Sequence, residues 1–433
     1  GLTTFRLQYA CPNIRGEAYT IYTNTPVGGA MRGYGIPQVC FAIESFMDDV
    51  ANEIHMDPLE FRRKNLIQGY YEDAYLKPIA ANTNGIFECL EKGAEYIHWD
   101  EKRKEYAEQA GDVRKGVGMA LFSYKTGVWP ISLEIAGARL SLNQDGSVQL
   151  MLGATEIGQG ADTVFSQMVA ETLHTDMEHV HIKTVQDTDV SPFDTGAYAS
   201  RQSFVTGTAV RHCAEILRDK ILAYAKTLLP EIDTRELTLK DNWIWAGDEQ
   251  AISLAALAEE SYYSLTNSSV LTAEVSEQVK KNTIATGCCF AEVEVDIKLG
   301  KIKILHIINV HDSGKLLNPQ LAEMQVHGGM SMGMGYGISE QLILDEKTGR
   351  PLNGNLLDYK LMTMLDTPDI KADFVELCDP MGPYGNKALG EPPAIPCAPA
   401  IRNAVLHATG VAFYENPLTP QRLIDGFKKA GLI

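Results

Sequence analysis

The chain has 433 residues, 45% hydrophobic and 22% charged, with 38 Lys and Arg against 56 Asp and Glu for a formal charge of −18. That is a soluble globular composition; at roughly 100–200 residues per domain it supports two or three domains, each large enough for its own core. The acidic balance argues against nucleic acid and anionic membrane surfaces as partners, because holding either needs clustered Lys and Arg.

The first 66 residues read as strand, glycine loop and helix. Ala18-Tyr19-Thr20-Ile21-Tyr22 is rich in β-formers, Pro26 to Gln38 holds four Gly and two Pro, and Val39 to Ile54 carries apolar residues at helical spacing. Residues 67–114 are more polar and end in a charged helix near Glu101–Glu108, which places a boundary close to Gly111. Two β-rich runs, Ala138–Leu142 and Ser147–Leu152, then flank Asn143-Gln144-Asp145-Gly146, a strong hairpin signal. A glycine loop from Gly153 to Gly160 follows, leading into the helical period of Val164, Met168, Val169 and Leu173.

A similar order returns in Phe290–Ile297 and Lys301–Val310 about Leu299-Gly300, the loop His311-Asp312-Ser313-Gly314, and a glycine-rich helical stretch from Leu321 to Gln341. This reads as a weak internal duplication of hairpin, loop and helix. Within the second copy Gly328, Gly329, Gly333, Gly335 and Gly337 each cost about 1 kcal/mol relative to Ala in a helix. Either close packing of another backbone or a ligand lying on that face would offset the cost.

Eight Cys are scattered, mostly in apolar runs and in no CxxC pairing, and read as buried reduced thiols. Gly1-Leu2-Thr3-Thr4-Phe5-Arg6 lacks Met and a secretory apolar region, and no run of about 18 apolar residues occurs. The expectation is a cytoplasmic chain. Ten dispersed His give no metal set, and His179 and His181, flanking Val180, read as a solvated strand edge; no metal is assigned to protein side chains.

Four places hold candidate chemistry. The loop Gly28-Gly29-Ala30-Met31-Arg32-Gly33-Tyr34-Gly35 is one. The Gly153–Gly160 loop runs from strand into helix, so its amides either point at an anion or make a plain turn. Asp194-Thr195-Gly196-Ala197-Tyr198-Ala199-Ser200-Arg201-Gln202-Ser203 precedes an apolar helix (Val210, Ile216, Leu217) and reads as an anion cradle or an ordinary capped loop. Finally, Glu391 lies between Gly390 and Pro392-Pro393 at the mouth of the apolar run Ala394–Val405. A helix start favours the anion and apolar surroundings the neutral acid, which suits a general base; a capping carboxylate is the alternative.

Taken together these loops resemble the molybdenum-binding subunit of the xanthine dehydrogenase family, the molybdenum hydroxylases. The residues that carry it are Thr23-Asn24-Thr25-Pro26 with Gly29-Ala30-Met31-Arg32-Gly33-Tyr34-Gly35-Ile36-Pro37-Gln38, then Gly153-Ala154-Thr155-Glu156-Ile157-Gly158-Gln159-Gly160, and Gly390-Glu391-Pro392-Pro393. Thr163-Val164-Phe165-Ser166-Gln167-Met168 and His311-Asp312-Ser313-Gly314 look closest to bacterial xanthine dehydrogenases.

The resemblance implies an α/β (α+β) fold of elongated molybdopterin-binding domains, mixed sheets with helices, internally duplicated. It assigns 1–112 to the end of a first such domain plus linker and 113–433 to a second. It implies a molybdopterin, in cytosine dinucleotide form, whose dithiolene holds the metal. Arg32 and Glu391 would be catalytic, with Glu391 the general base, and Tyr34, Val128 and Trp129 would bind substrate. Arg32, Gly33, Gly158, Gln159, Gly160, Ala199 and Ser200 would contact the cofactor. The implied reaction is water-derived hydroxylation of an N-heterocycle such as hypoxanthine or xanthine, with nicotinate, an aldehyde or a non-catalytic assembly paralogue as alternatives. The implied partners are the N-terminal half of the molybdenum subunit, an Fe-S subunit and an FAD subunit. Two departures stand out: the family's upstream half is missing, and a Gln-Gly pair that some members use against the cofactor is replaced by Met332-Gly333.

Overall fold

A computed structural model describes residues 8–68, 83–183 and 185–433. The Gly1-to-Arg6 start and part of the polar stretch at 67–114 lie outside the described residues. Two compact units form: one from the described residues of Gly1–Lys125 with Thr283–Asp379 and Lys387–Ile433, the other from Thr126–Asn282 with Pro380–Asn386.

The first unit is built on a sheet ordered Val113–Lys125, Ile284–Asp296, Lys301–Asp312, Asp369–Phe374, antiparallel except for the last pair. Val113–Lys125 pairs along its whole length, from Val113 opposite Asp296 to Lys125 opposite Ile284. Alternate side chains supply two cores. Val117, Met119, Leu121, Cys288 and Phe290 pack with Ile86, Cys89 and Leu90 of the helix Ile86–Ile97. On the opposite face Gly116, Gly118 and Ala120 let the helix Cys397–Thr409 come close through Ala404. Helices on both faces explain why these strands read as near-continuous apolar runs.

The second unit has a sheet ordered Thr272–Gln278, Ile135–Leu142, Val148–Leu152, Val180–Ile182, again antiparallel except for the last pair. The Asp145-Gly146 hairpin forms as expected, with Gly146 at φ 84°. Helices Ala161–Leu173 and Gly207–Leu228 pack together, the latter also against the sheet. A smaller antiparallel sheet joins Leu237–Lys240, Trp243–Ala246 and Glu249–Ser253.

The duplication is legible in topology. In each unit a hairpin's second strand leads through a helix to a parallel edge strand: Val148–Leu152 through Ala161–Leu173 to Val180–Ile182, and Lys301–Asp312 through Pro319–Ile338 to Asp369–Phe374. The hairpin's first strand pairs in each case with a separate antiparallel strand. His181 lies exposed on the edge strand, as its pattern suggested.

Two expectations are corrected, and one open alternative is decided. Ala18–Tyr22 forms no strand; Tyr19, Ile21 and Tyr22 are exposed, because the segment finds no partner edge among the described residues. Cys11 and Cys378 are exposed, although the other six thiols are buried and all eight are free. The glycine face of Pro319–Ile338 is filled by protein. A Cβ at Gly329 would stand 2.4 Å from Cβ of Pro393, and one at Gly333 would stand 2.8 Å from Cβ of Cys397. Packing therefore offsets the helix cost, and the ligand alternative for that face falls. Among the described residues no helix is long and apolar enough to cross a membrane.

Candidate functional site

In the first unit the helix Ile36–Glu53 starts from a turn in which Gly33, Tyr34 and Gly35 all take left-handed φ values of 95°, 47° and 82°. For a bulky residue such as Tyr34 this conformation costs on the order of 1–3 kcal/mol. The turn holds because Tyr34 N donates to Met31 O and Ile36 N to Gly33 O, at 2.7 and 3.0 Å. It throws the Tyr34 ring outward, 72% exposed. Arg32 points the other way. Its Nε donates to Gly390 O at 2.6 Å, its Nη2 to Gln325 O at 2.9 Å, and its Nη1 lies 3.9 Å from Sδ of Met332. The residue that departs from the family pattern thus touches this guanidinium. Burial lowers the Arg32 pKa, and the nearby charge of Glu391 opposes the shift.

Glu391 precedes a short turn, Pro392–Ala394, that leads into the helix Cys397–Thr409. Its side chain makes no capping hydrogen bond to that turn. Instead Oε2 accepts a hydrogen bond from the Tyr124 hydroxyl near the end of the edge strand Val113–Lys125. The capping alternative is therefore overturned. The backbone before it is anchored at Lys387, whose Nζ lies 2.8 Å from Oδ2 of Asp312, both side chains fully buried. Lys387 N donates to Ser313 O at 2.7 Å.

In the second unit the Gly153–Gly160 loop folds around its own carboxylate. Glu156 Oε1 accepts from Gly158 N at 2.7 Å and Gly160 N at 3.1 Å, and Oε2 from Asp162 N at 3.1 Å. Burial raises its pKa, but these amides outweigh that and the net shift is downward. The expected anion cradle is therefore filled from within: glycine backbone conformations turn the amides inward, and the nearest anion in the chain takes them. Gln159 is also committed, Oε1 accepting from Ile157 N and Nε2 donating to Thr155 O and to Gln202 Oε1.

Gln202 opens the segment that follows Ala199 and Ser200, both at left-handed φ of 50° and 49°. Ala199 O accepts from Gly127 N at 2.9 Å, and Val128 N donates to Glu134. Arg201, fully buried, binds Glu134 and Asp194 and donates to Gly196 O and Ile135 O. One buried guanidinium thus ties the Ala199–Ser200 loop to the loop carrying Val128 and Trp129, both half-buried.

Sequence reasoning missed Tyr124, Lys387 with Asp312, Glu134 and Arg201 as supports. Asp312 and Arg201 stood inside motifs singled out for other residues; Asp194 lies in the same motif as Arg201, whereas Glu134 lies 67 residues from Arg201 and Lys387 lies 75 residues from Asp312.

The family profile for the molybdopterin cofactor-binding domain matches residues 92–368, and a second molybdopterin cofactor-binding domain profile matches 1–66. The chain belongs to the molybdopterin cofactor-binding family. It is 49% identical over 419 residues to the xanthine dehydrogenase molybdenum-binding subunit of Escherichia coli O157:H7, covering 96% of this chain and 55% of the relative. It is 31% identical over 435 residues to Probable hypoxanthine oxidase XdhD of Escherichia coli (strain K12), covering 97% and 44% respectively. The chain spans about half the length of these relatives. Quinoline 2-oxidoreductase from Pseudomonas putida 86 matches in fold at a TM-score of 0.84 and 24% identity, over 93% of this chain and 53% of that one. The mixed α/β fold is shared with quinoline 2-oxidoreductase and with the Cu,Mo-CO dehydrogenase.

The residues present suit an organic anion better than a bare metal ion. Among the described residues no three His, Cys, Asp or Glu side chains group as a metal site. Beside the two loops, Thr195 Oγ1 is buried with no hydrogen-bond partner, a donor left for a polar ligand. Gly158, at φ 95°, has open space where a Cβ would stand.

Proposed function

We propose that the chain is the portion of a molybdenum hydroxylase that carries its general base, oxidising an N-heterocycle, hypoxanthine or xanthine, with water as the oxygen source. The observation that carries this is Glu391: a carboxylate that forgoes the turn it precedes and faces Tyr124, with Arg32 clamped to the carbonyl just before it.

When bound, molybdopterin supplies the metal's oxygen-transfer and two-electron redox chemistry; we take it to be the cytosine dinucleotide form. Arg32, Gly33, Gly158, Gln159, Gly160, Ala199 and Ser200 would hold it, the Gly158 and Gly160 amides and Gln159 exchanging their internal partners for it. Glu391 accepts at its carboxylate the proton lost by the water-derived oxygen. Arg32 supplies positive charge beside that carboxylate. The exposed ring of Tyr34, with Val128 and Trp129, orients a flat heterocycle, stacking being worth about 0.5–1.5 kcal/mol beyond area burial. The names of both relatives support a purine substrate. Electrons leave through Fe-S and FAD subunits in a cytoplasmic complex that includes the molybdenum subunit's other half. The same proposal assigns 1–112 to the end of a first cofactor-binding domain and 113–433 to a second.

The test is a substrate screen on the assembled complex with Glu391→Gln alongside. Hypoxanthine or xanthine should turn over well above nicotinate and aldehydes, and the variant should lose about 10²–10⁴ in rate with molybdenum content unchanged. Preference for nicotinate or an aldehyde overturns the substrate. Bound molybdenum with no turnover of any of them leaves the assembly paralogue.

A further inference from the structure

Tyr124 stands next to the end of the edge strand Val113–Lys125, paired with Ala285 of the neighbouring strand, and is 3% exposed. Its ring packs in a cluster with Phe122, Ala388 and Ile395, so the residues on either side of Glu391 in sequence touch the same apolar body. A buried phenol needs a polar partner, and this hydroxyl donates to Oε2 of Glu391. The strand is paired along its whole length, and Glu391 makes no capping hydrogen bond to the turn it precedes.

Resting on the reading of Glu391 as the general base, we infer that Tyr124 is a positioning residue that sets the orientation of the Glu391 carboxylate for proton transfer. The phenol donates to one carboxylate oxygen and fixes the plane of the group. Arg32, held to Gly390 O and coupled electrostatically to Glu391, is a charged group near it. Tyr124 fixes direction and Arg32 supplies charge. A base held to a sub-ångström tolerance is what proton transfer requires.

Tyr124→Phe keeps the ring and removes only the hydroxyl. In the assembled enzyme it should lower kcat about 10- to 100-fold, leave KM within about twofold, and leave Tm and molybdopterin content at wild-type values. In a Glu391→Asp background, where the shorter carboxylate no longer reaches the phenol, the same change should cost less than about twofold. A kcat within twofold of wild type, a loss as large in the Glu391→Asp background, or a loss that comes with lower Tm or cofactor content overturns the positioning role. If Glu391→Gln itself retains activity, the base assignment falls and this inference with it. If that variant is inactive while Tyr124→Phe is not, only the role of Tyr124 is lost.

Discussion

The ammonium of Lys387 stands 2.8 Å from Oδ2 of Asp312, and neither side chain has any exposure to solvent. Asp312 also accepts from Gly85 N and Gly314 N, and Lys387 donates a second bond to Thr83 O. The pair thus locks the end of a central strand to the loop that carries Glu391. Lys387→Met leaves an uncompensated buried carboxylate and should destabilise the protein by about 3–5 kcal/mol. Adding Asp312→Asn removes that charge and should recover a good part of the loss. Urea denaturation of wild type and the two variants checks this; a loss below about 1 kcal/mol for Lys387→Met would show that the pair is dispensable.

Neighbouring glycines on the helix Pro319–Ile338 should respond in opposite ways to alanine. At Gly328 the nearest atom to a new Cβ is the flexible Arg32 Nη1 at 3.6 Å, so Gly328→Ala should gain up to about 1 kcal/mol of helix propensity. At Gly329 the same methyl meets Pro393 at 2.4 Å, and overpacking of about 1–3 kcal/mol should exceed that gain. Thermal unfolding should therefore rank Gly328→Ala at or above wild type and Gly329→Ala below it. The reverse order would mean that the helix does not seat on the Pro392–Ala394 turn.

What the sequence disclosed follows from the range of the interactions. The Asp145-Gly146 hairpin is local, and turn chemistry announces it. Glu391 stood out because its neighbours Gly390 and Pro392 are local too. Its partner Tyr124 lies 267 residues away, inside a strand that reads as plain core. The Gly153–Gly160 loop misled for another reason. Its amides do bind an anion, but Glu156 lies within the motif itself, and only the fold shows it turned inward. Ala18–Tyr22 has the composition of a strand without a partner, and β-propensity alone forms none.

His311 gives the chain a pH dependence whose sign can be worked out. The imidazole is fully buried, tilted against Phe122 at 4.9 Å and Phe374 at 6.2 Å between ring centroids, and neither ring nitrogen has a hydrogen-bond partner. Burial, and then the charge of Arg32, lowers its pKa from 6.5 to about 3. The unfolded chain takes up a proton near 6.5, the folded one only near 3, so the unfolded state holds more protons anywhere between. Stability from this group is therefore complete above pH 6.5 and is lost as pH falls toward 3, at about 1.4 kcal/mol per pH unit. His407, lowered to about 3 chiefly by burial, adds a second slope of the same sign. His311→Phe keeps an aromatic ring against its two neighbours and removes the titration. It should match or exceed wild type at pH 7 and lose stability less steeply between pH 6 and 4, by about 1.4 kcal/mol per unit. Urea denaturation across that range measures both slopes. Parallel lines for variant and wild type would mean that His311 takes up its proton in the folded protein as readily as in the unfolded chain.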